Sequence, residues 1–125
     1  AEPQSAMDFW NILTHDAMPF ATLSAMELGE RKDFLRRLRW IRLVGRDIMV
    51  IAETGDASLS RCGSVAGREA SLASFWDSGR GEKAMGVLQT AETAVSRYIN
   101  SKNVWDYILI SLEHIQKGSQ KWSRS

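Results

Sequence analysis

Apolar residues recur at helical spacing through the segment 24–53, which predicts one long helix. Projected at about 100° per residue, the apolar side chains fall on one side of this helix, where they would face a core. Ser24 followed by Glu27 has the spacing of a capping box, so the helix is predicted to begin at Ser24. The apolar side carries Phe34, Leu38, Ile41, Val44, Ile48, Met49 and Ala52, with Leu35 and Trp40 at its margins.

The same segment allows a second interpretation. The runs 40–44 and 48–52 are rich in β-branched and aromatic residues, and residues 45–47 between them could form a turn. They would then make a short hairpin at 40–52 within an α+β fold. We favour the continuous helix, because one helical phase accounts for almost every residue from 31 to 52.

Helical patterns also occur on both sides of this segment, with short polar or glycine-containing stretches between them. They predict an all-α fold, a four- to five-helix bundle around the long amphipathic helix 24–53. The chain is predicted to form a single domain, residues 1–125, with flexible ends at 1–5 and 118–125. The further helices are predicted from Ser5 to Pro19, from Ser64 to Trp76, from Glu82 to Asn100 and from Ser101 to Gly118.

Charge is unevenly distributed along the chain. The net charge is +1, but residues 31–46 hold seven Lys or Arg and one acid, a local balance of +6 that leaves −5 for the rest. Apolar residues at 44% and charged residues at 25% are ordinary for a globular domain, which argues against disorder. No apolar run is long enough to predict a membrane span. The compartment stays open, with the cytoplasm slightly favoured.

The cations of the long helix gather on the side opposite the apolar stripe, and only Arg37 strays from it. Such a stripe can contact phosphates, an acidic protein partner or an anionic membrane surface. It can also dock on acids of its own chain or be a plain solvent-exposed face. Trp40 lies at the margin of the apolar stripe, and Leu43 projects from the basic side. Both are predicted to be interface residues, because tryptophans at such an edge often lie in contacts between proteins. The candidate binding residues are Arg31, Lys32, Arg36, Arg39, Arg42 and Arg46.

The sequence shows no convergent catalytic set. The two histidines, His15 and His114, lie at opposite ends of the chain, and their acidic neighbours Asp16 and Glu113 would diverge from them by about 100° on a helix. Cys62 is the one cysteine, so it cannot form an internal disulfide, and nothing beside it indicates a nucleophile. We predict no catalytic residue, no metal site and no cofactor.

These observations predict a non-enzymatic regulatory or adaptor domain that acts by protein–protein interaction, with self-association as a homodimer among the forms it could take. The alternative is a DNA- or RNA-binding domain that uses the basic face of helix 24–53 for phosphate contacts. Binding of mixed nucleic acid with a steep salt dependence, lost when Arg36 and Arg39 become Glu, would support the alternative. Both interpretations require that the arginines face outward and do not pair with carboxylates of the same chain.

Overall fold

A computed structural model describes residues 2–76 and 78–123, excluding the side chains of residues 78 and 118–123. The part of the chain that the structure describes is 83% helical, with six α-helices and no strand, so the predicted all-α bundle is confirmed. The alternative hairpin at 40–52 is wrong, because these residues lie within one uninterrupted helix. The helices are α1 Glu2–His15, α2 Pro19–Ser24, α3 Arg31–Thr54, α4 Ala66–Leu72, α5 Ser78–Ser96 and α6 Ser101–Ser123. Short 3-10 turns lie at Ala57–Leu59, Gly63–Val65 and Ala73–Phe75.

The long helix begins later than the capping-box pattern predicts. Ser24 closes α2, and its hydroxyl donates to the carbonyl of Ala21, so it does not cap a following helix. Gly29, with a φ of 71°, lies in the connection, and α3 starts at Arg31. At its other end α3 stops against Gly55, whose φ of 72° is the left-handed conformation that commonly ends helices.

The two ends of the chain are more helical than the pattern predicts. α1 begins at Glu2, ahead of the predicted start at Ser5, and α6 continues through Gly118 to Ser123. Residues 1, 124 and 125 of the predicted flexible ends lie outside the described residues. The flexibility of both ends stays a prediction.

α3 is the central helix of the bundle. It packs against α1, α4 and α5, while α6 packs against α5 and α2 packs against both α1 and α6. The predicted apolar stripe is buried from Phe34 to Ile48, and Met49 and Ala52 are half-buried. Large aromatic side chains, Trp10 and Trp105 among them, fill the space between the helices. No helix within the described ranges is long and apolar enough to cross a membrane.

Candidate functional sites on α3 and beside it

The six predicted cations lie along the exposed and half-buried sides of α3. Lys32, Arg36 and Arg39 are exposed, and Arg42 and Arg46 are half-buried. Arg31, at the start of α3, places its guanidinium 3.5 Å from the centre of the exposed Tyr98 ring, a cation–π contact to the connection between α5 and α6.

Acids of the same chain neutralise part of this surface. Arg36 Nε lies 2.9 Å from a carboxylate oxygen of Glu2 on α1, and its Nη2 lies 3.4 Å from Asp33 one turn earlier. Arg46 Nη1 is 3.9 Å from Asp47 Oδ1. Each pair links the arginine to a carboxylate within the fold and lowers the positive potential that a ligand would meet.

A single acid on α5 serves two further arginines. Glu92 accepts a hydrogen bond from Arg42 Nε, and Arg39 Nε lies 3.8 Å from its other carboxylate oxygen. Glu92 is only 16% exposed, whereas Arg39 keeps 61% of its side chain exposed. The described ion pairs therefore include four of the six predicted binding residues. The sequence allowed such pairing of the cations of α3 with acids of the same chain.

Trp40 and Leu43, the predicted interface residues, are half-buried and pack against the edge of the core. Trp40 lines a groove of about 220 Å³ with Arg36 and Arg37, between α3 and the start of α1. A second groove of about 200 Å³ lies between α3 and α5. Its lining includes Arg42, Arg46, Met49, Val50 and Met85.

Four cations and two aliphatic residues lie along the outward side of α3. The residues are spaced alternately by four and three, so they form a nearly straight seam on a helix. None of them is buried. We call this seam the α3 outer face: Lys32, Arg36, Arg39, Leu43, Arg46 and Val50.

A buried polar cluster lies on another side of α3. Asp47 is 1% exposed and Glu69, on α4, is 0% exposed, and Cys62 between them in the chain is also buried. The hydroxyl of Ser60 lies 2.6 Å from Glu69 Oε1 and 3.2 Å from Asp47 Oδ2. The backbone amides of Arg61 and Cys62 donate to the two oxygens of Asp47 at 3.2 and 3.1 Å. The cluster thus attaches the connection 55–65 to both α3 and α4.

The buried cluster has fewer hydrogen-bond donors than its two carboxylates can accept. Ser60 has a single hydroxyl proton for two carboxylates, and its shorter contact is with Glu69. The second carboxylate oxygen of Glu69, Oε2, is buried and has no hydrogen-bond partner. A carboxylate oxygen without a partner is costly to bury, so this position calls for a proton or a cation.

Burial disfavours the negatively charged forms of Glu69 and Cys62. It raises the pKa of the Glu69 carboxyl to about 7; the hydrogen bond from Ser60 opposes this rise, and the charge of Asp47 reinforces it. Burial also raises the pKa of the Cys62 thiol to about 12, with further contributions from a hydrogen bond and the charge of Asp47. Cys62 is therefore a protonated thiol at neutral pH and a poor nucleophile.

The cluster was missed in the sequence because its members come from three separate elements. One signal was available: Asp47 lies three residues after Val44 and four before Ile51, both of which are buried on α3. An acid at that spacing projects toward the apolar side and needs a buried partner. Its partners, Cys62 and Glu69, cannot be recognised from local spacing.

The chain matches no protein-family model, and it has no significant match among curated proteins or solved structures. The class that the fold defines is an all-α helical bundle. The α3 outer face and the buried cluster are the features of the molecule that bear on its function.

Proposed function

We propose that this chain is a regulatory or adaptor domain that acts by binding, without catalysis, and that its α3 outer face binds an acidic amphipathic segment of a protein partner. The observation that carries the proposal is the mixed character of this face. Arg36 and Arg39 expose 63% and 61% of their side chains, and the half-exposed Leu43 and Val50 follow along the same seam. A partner helix with acids and aliphatic residues at matching spacing complements both.

The ion pairs within the fold favour a protein over a nucleic acid. Binding to nucleic acid draws its affinity from uncompensated cations that release counterions from phosphates. Glu2, Asp33 and Glu92 already lie beside Arg36, Arg39 and Arg42, so a phosphate backbone would meet carboxylates together with the guanidinium groups. A helical segment can place single carboxylates in the gaps between these acids. It can also place aliphatic residues over Leu43.

An NMR titration tests the proposal. The probe is a helical peptide with Glu and Leu at alternating spacings of four and three, added to the ¹⁵N-labelled chain. We expect the amide shifts to follow α3 and the affinity to fall about tenfold in Arg39→Glu, because the substitution places an acid opposite the acids of the peptide. Arg97→Glu, the same charge change at an exposed residue of the α5–α6 connection, is the matched control and should leave the affinity unchanged.

Three outcomes separate the alternatives. Equal peptide binding by Arg39→Glu and Arg97→Glu would contradict the proposal. The nucleic-acid alternative would be supported if the chain bound DNA with a steep salt dependence and the Glu92→Gln variant bound DNA more tightly. This substitution removes the carboxylate that pairs with Arg39 and Arg42. A molecular mass that rises with concentration in light scattering, and does not in Arg39→Glu, would identify a second copy of the chain as the partner.

A further inference from the structure

Three side chains that can ligate a metal converge in the buried cluster. The carboxylates of Asp47 and Glu69 and the thiol of Cys62 have ligand atoms within 4.8 Å of one another, and all three residues are buried. They come from α3, the 55–65 connection and α4, so an ion among them would cross-link three parts of the fold. We propose that Asp47, Cys62 and Glu69 bind one divalent cation of the Zn²⁺ class.

The unpartnered oxygen of Glu69 is the independent observation behind this assignment. Glu69 is 0% exposed, its Oε1 accepts the Ser60 hydroxyl, and its Oε2 has no partner. A cation beside Asp47 and Cys62 would satisfy this oxygen and compensate the charge of the buried carboxylates.

The donor set selects the kind of ion. One sulfur and two carboxylates suit Zn²⁺, which accepts thiolate, imidazole and carboxylate ligands, whereas Mg²⁺ and Ca²⁺ prefer oxygen alone. Ligand atoms around tetrahedral Zn²⁺ lie about 3.3–3.8 Å apart, given bond lengths of about 2.0–2.3 Å. A spacing of up to 4.8 Å therefore requires a contraction of about 1.5 Å at most.

The surroundings are organised to orient Asp47. The backbone amides of Arg61 and Cys62 donate to its two oxygens, and Oδ1, which accepts only the Arg61 amide, keeps capacity for a further contact. Hydrogen bonds of this kind commonly hold metal-ligating carboxylates in position. Ser60, between Asp47 and Glu69, or a water molecule can complete the coordination. Binding releases to solvent the proton of the Cys62 thiol and, where Glu69 is protonated, the proton of its carboxyl group.

Optical titration with Co²⁺ after removal of metals by a chelator tests the site. Cys62 is the only cysteine, so a thiolate-to-Co²⁺ charge-transfer band can arise from this site alone. We expect the band to saturate at about one Co²⁺ per chain and to disappear when Zn²⁺ is added. We expect no band in Cys62→Ala and at least about tenfold weaker Co²⁺ binding in Glu69→Gln.

Matched controls keep the result interpretable. His15→Ala and His114→Ala remove exposed ligands outside the cluster and should leave the titration unchanged. Circular dichroism of the metal-free variants checks that each is folded, and one equivalent of Zn²⁺ should raise the melting temperature of the unmodified chain and not that of Cys62→Ala. Absence of the charge-transfer band in the folded chain, or equal binding by Glu69→Gln, would overturn the assignment. Either result leaves the proposal for the α3 outer face intact.

Discussion

Replacing Gly45 with alanine is expected to destabilise the fold by about 2 kcal/mol, although the same change normally stabilises the interior of a helix by about 1 kcal/mol. A Cβ atom at Gly45 would lie 2.5 Å from Cζ2 of Trp10 and 2.6 Å from Cε of Met85. The end of Met85 can rotate away at little cost. The indole of Trp10 cannot, so the clash outweighs the gain in helix propensity.

Trp10 is held from several directions. Its indole N–H donates to the carbonyl of Ile41 at 2.8 Å, and its ring meets Phe9 and Trp76 edge-on at centroid distances of 5.6 and 5.1 Å. A shift that made room for a methyl group would disturb all three contacts. Gly45 therefore sets how closely α1 can approach α3.

Gly86→Ala is the matched control for this prediction. Gly86 lies inside α5, and a Cβ added there meets nothing within 4 Å. We expect this variant to be about 0.5–1 kcal/mol more stable than the unmodified chain. Urea unfolding followed by circular dichroism measures both variants. If Gly45→Ala and Gly86→Ala changed the free energy of unfolding in the same direction, the result would contradict the close packing of α1 against α3 at Gly45.

The second large effect is a loss of stability as the pH rises. Glu69 has an ordinary pKa of 4.5, and burial raises it to about 7 in the fold. Between pH 4.5 and pH 7 the folded chain holds a proton on Glu69 that the unfolded chain has released. The stability that this proton provides is therefore complete below pH 4.5, and it is lost as the pH rises toward 7. The metal-free protein should lose up to about 3 kcal/mol across this range.

Glu69→Gln isolates this contribution. The glutamine side chain is neutral like the protonated acid, can accept the Ser60 hydroxyl and can donate toward Asp47. We expect the variant to be the more stable protein at pH 8 and to lack the fall between pH 4.5 and 7. Urea unfolding at a series of pH values, with a chelator present, gives the difference between the two proteins. Parallel pH profiles would show that Glu69 keeps its ordinary pKa in the fold.

The ion pairs of α3 change the charge pattern of its outer face. Residues 31–46 have a local balance of +6, yet Glu92 and Glu2, from α5 and α1, lie against three of the arginines. These half-exposed pairs contribute little to stability. Their larger consequence is for recognition, because they break a uniform cationic stripe into a pattern of both signs, which favours partners that match it.

The sequence by itself determined the fold class and the buried stripe of α3. Both depend on periodicity, which is local: residues three and four apart share a face whatever the rest of the chain does. The same local information misplaced the start of α3, because Ser24 and Glu27 fit a capping box, while the Ser24 hydroxyl in fact bonds back to Ala21 at the end of α2.

Only the tertiary structure decided which groups meet. Arg42 and Glu92 are 50 residues apart in the chain, and the cluster draws Asp47, Cys62 and Glu69 from three elements. Such pairs depend on how helices pack, and the spacing of residues along one helix carries no information about the residues that another helix places opposite it. The cationic face could therefore be predicted from the sequence, whereas its neutralising acids and the buried ligand set could not.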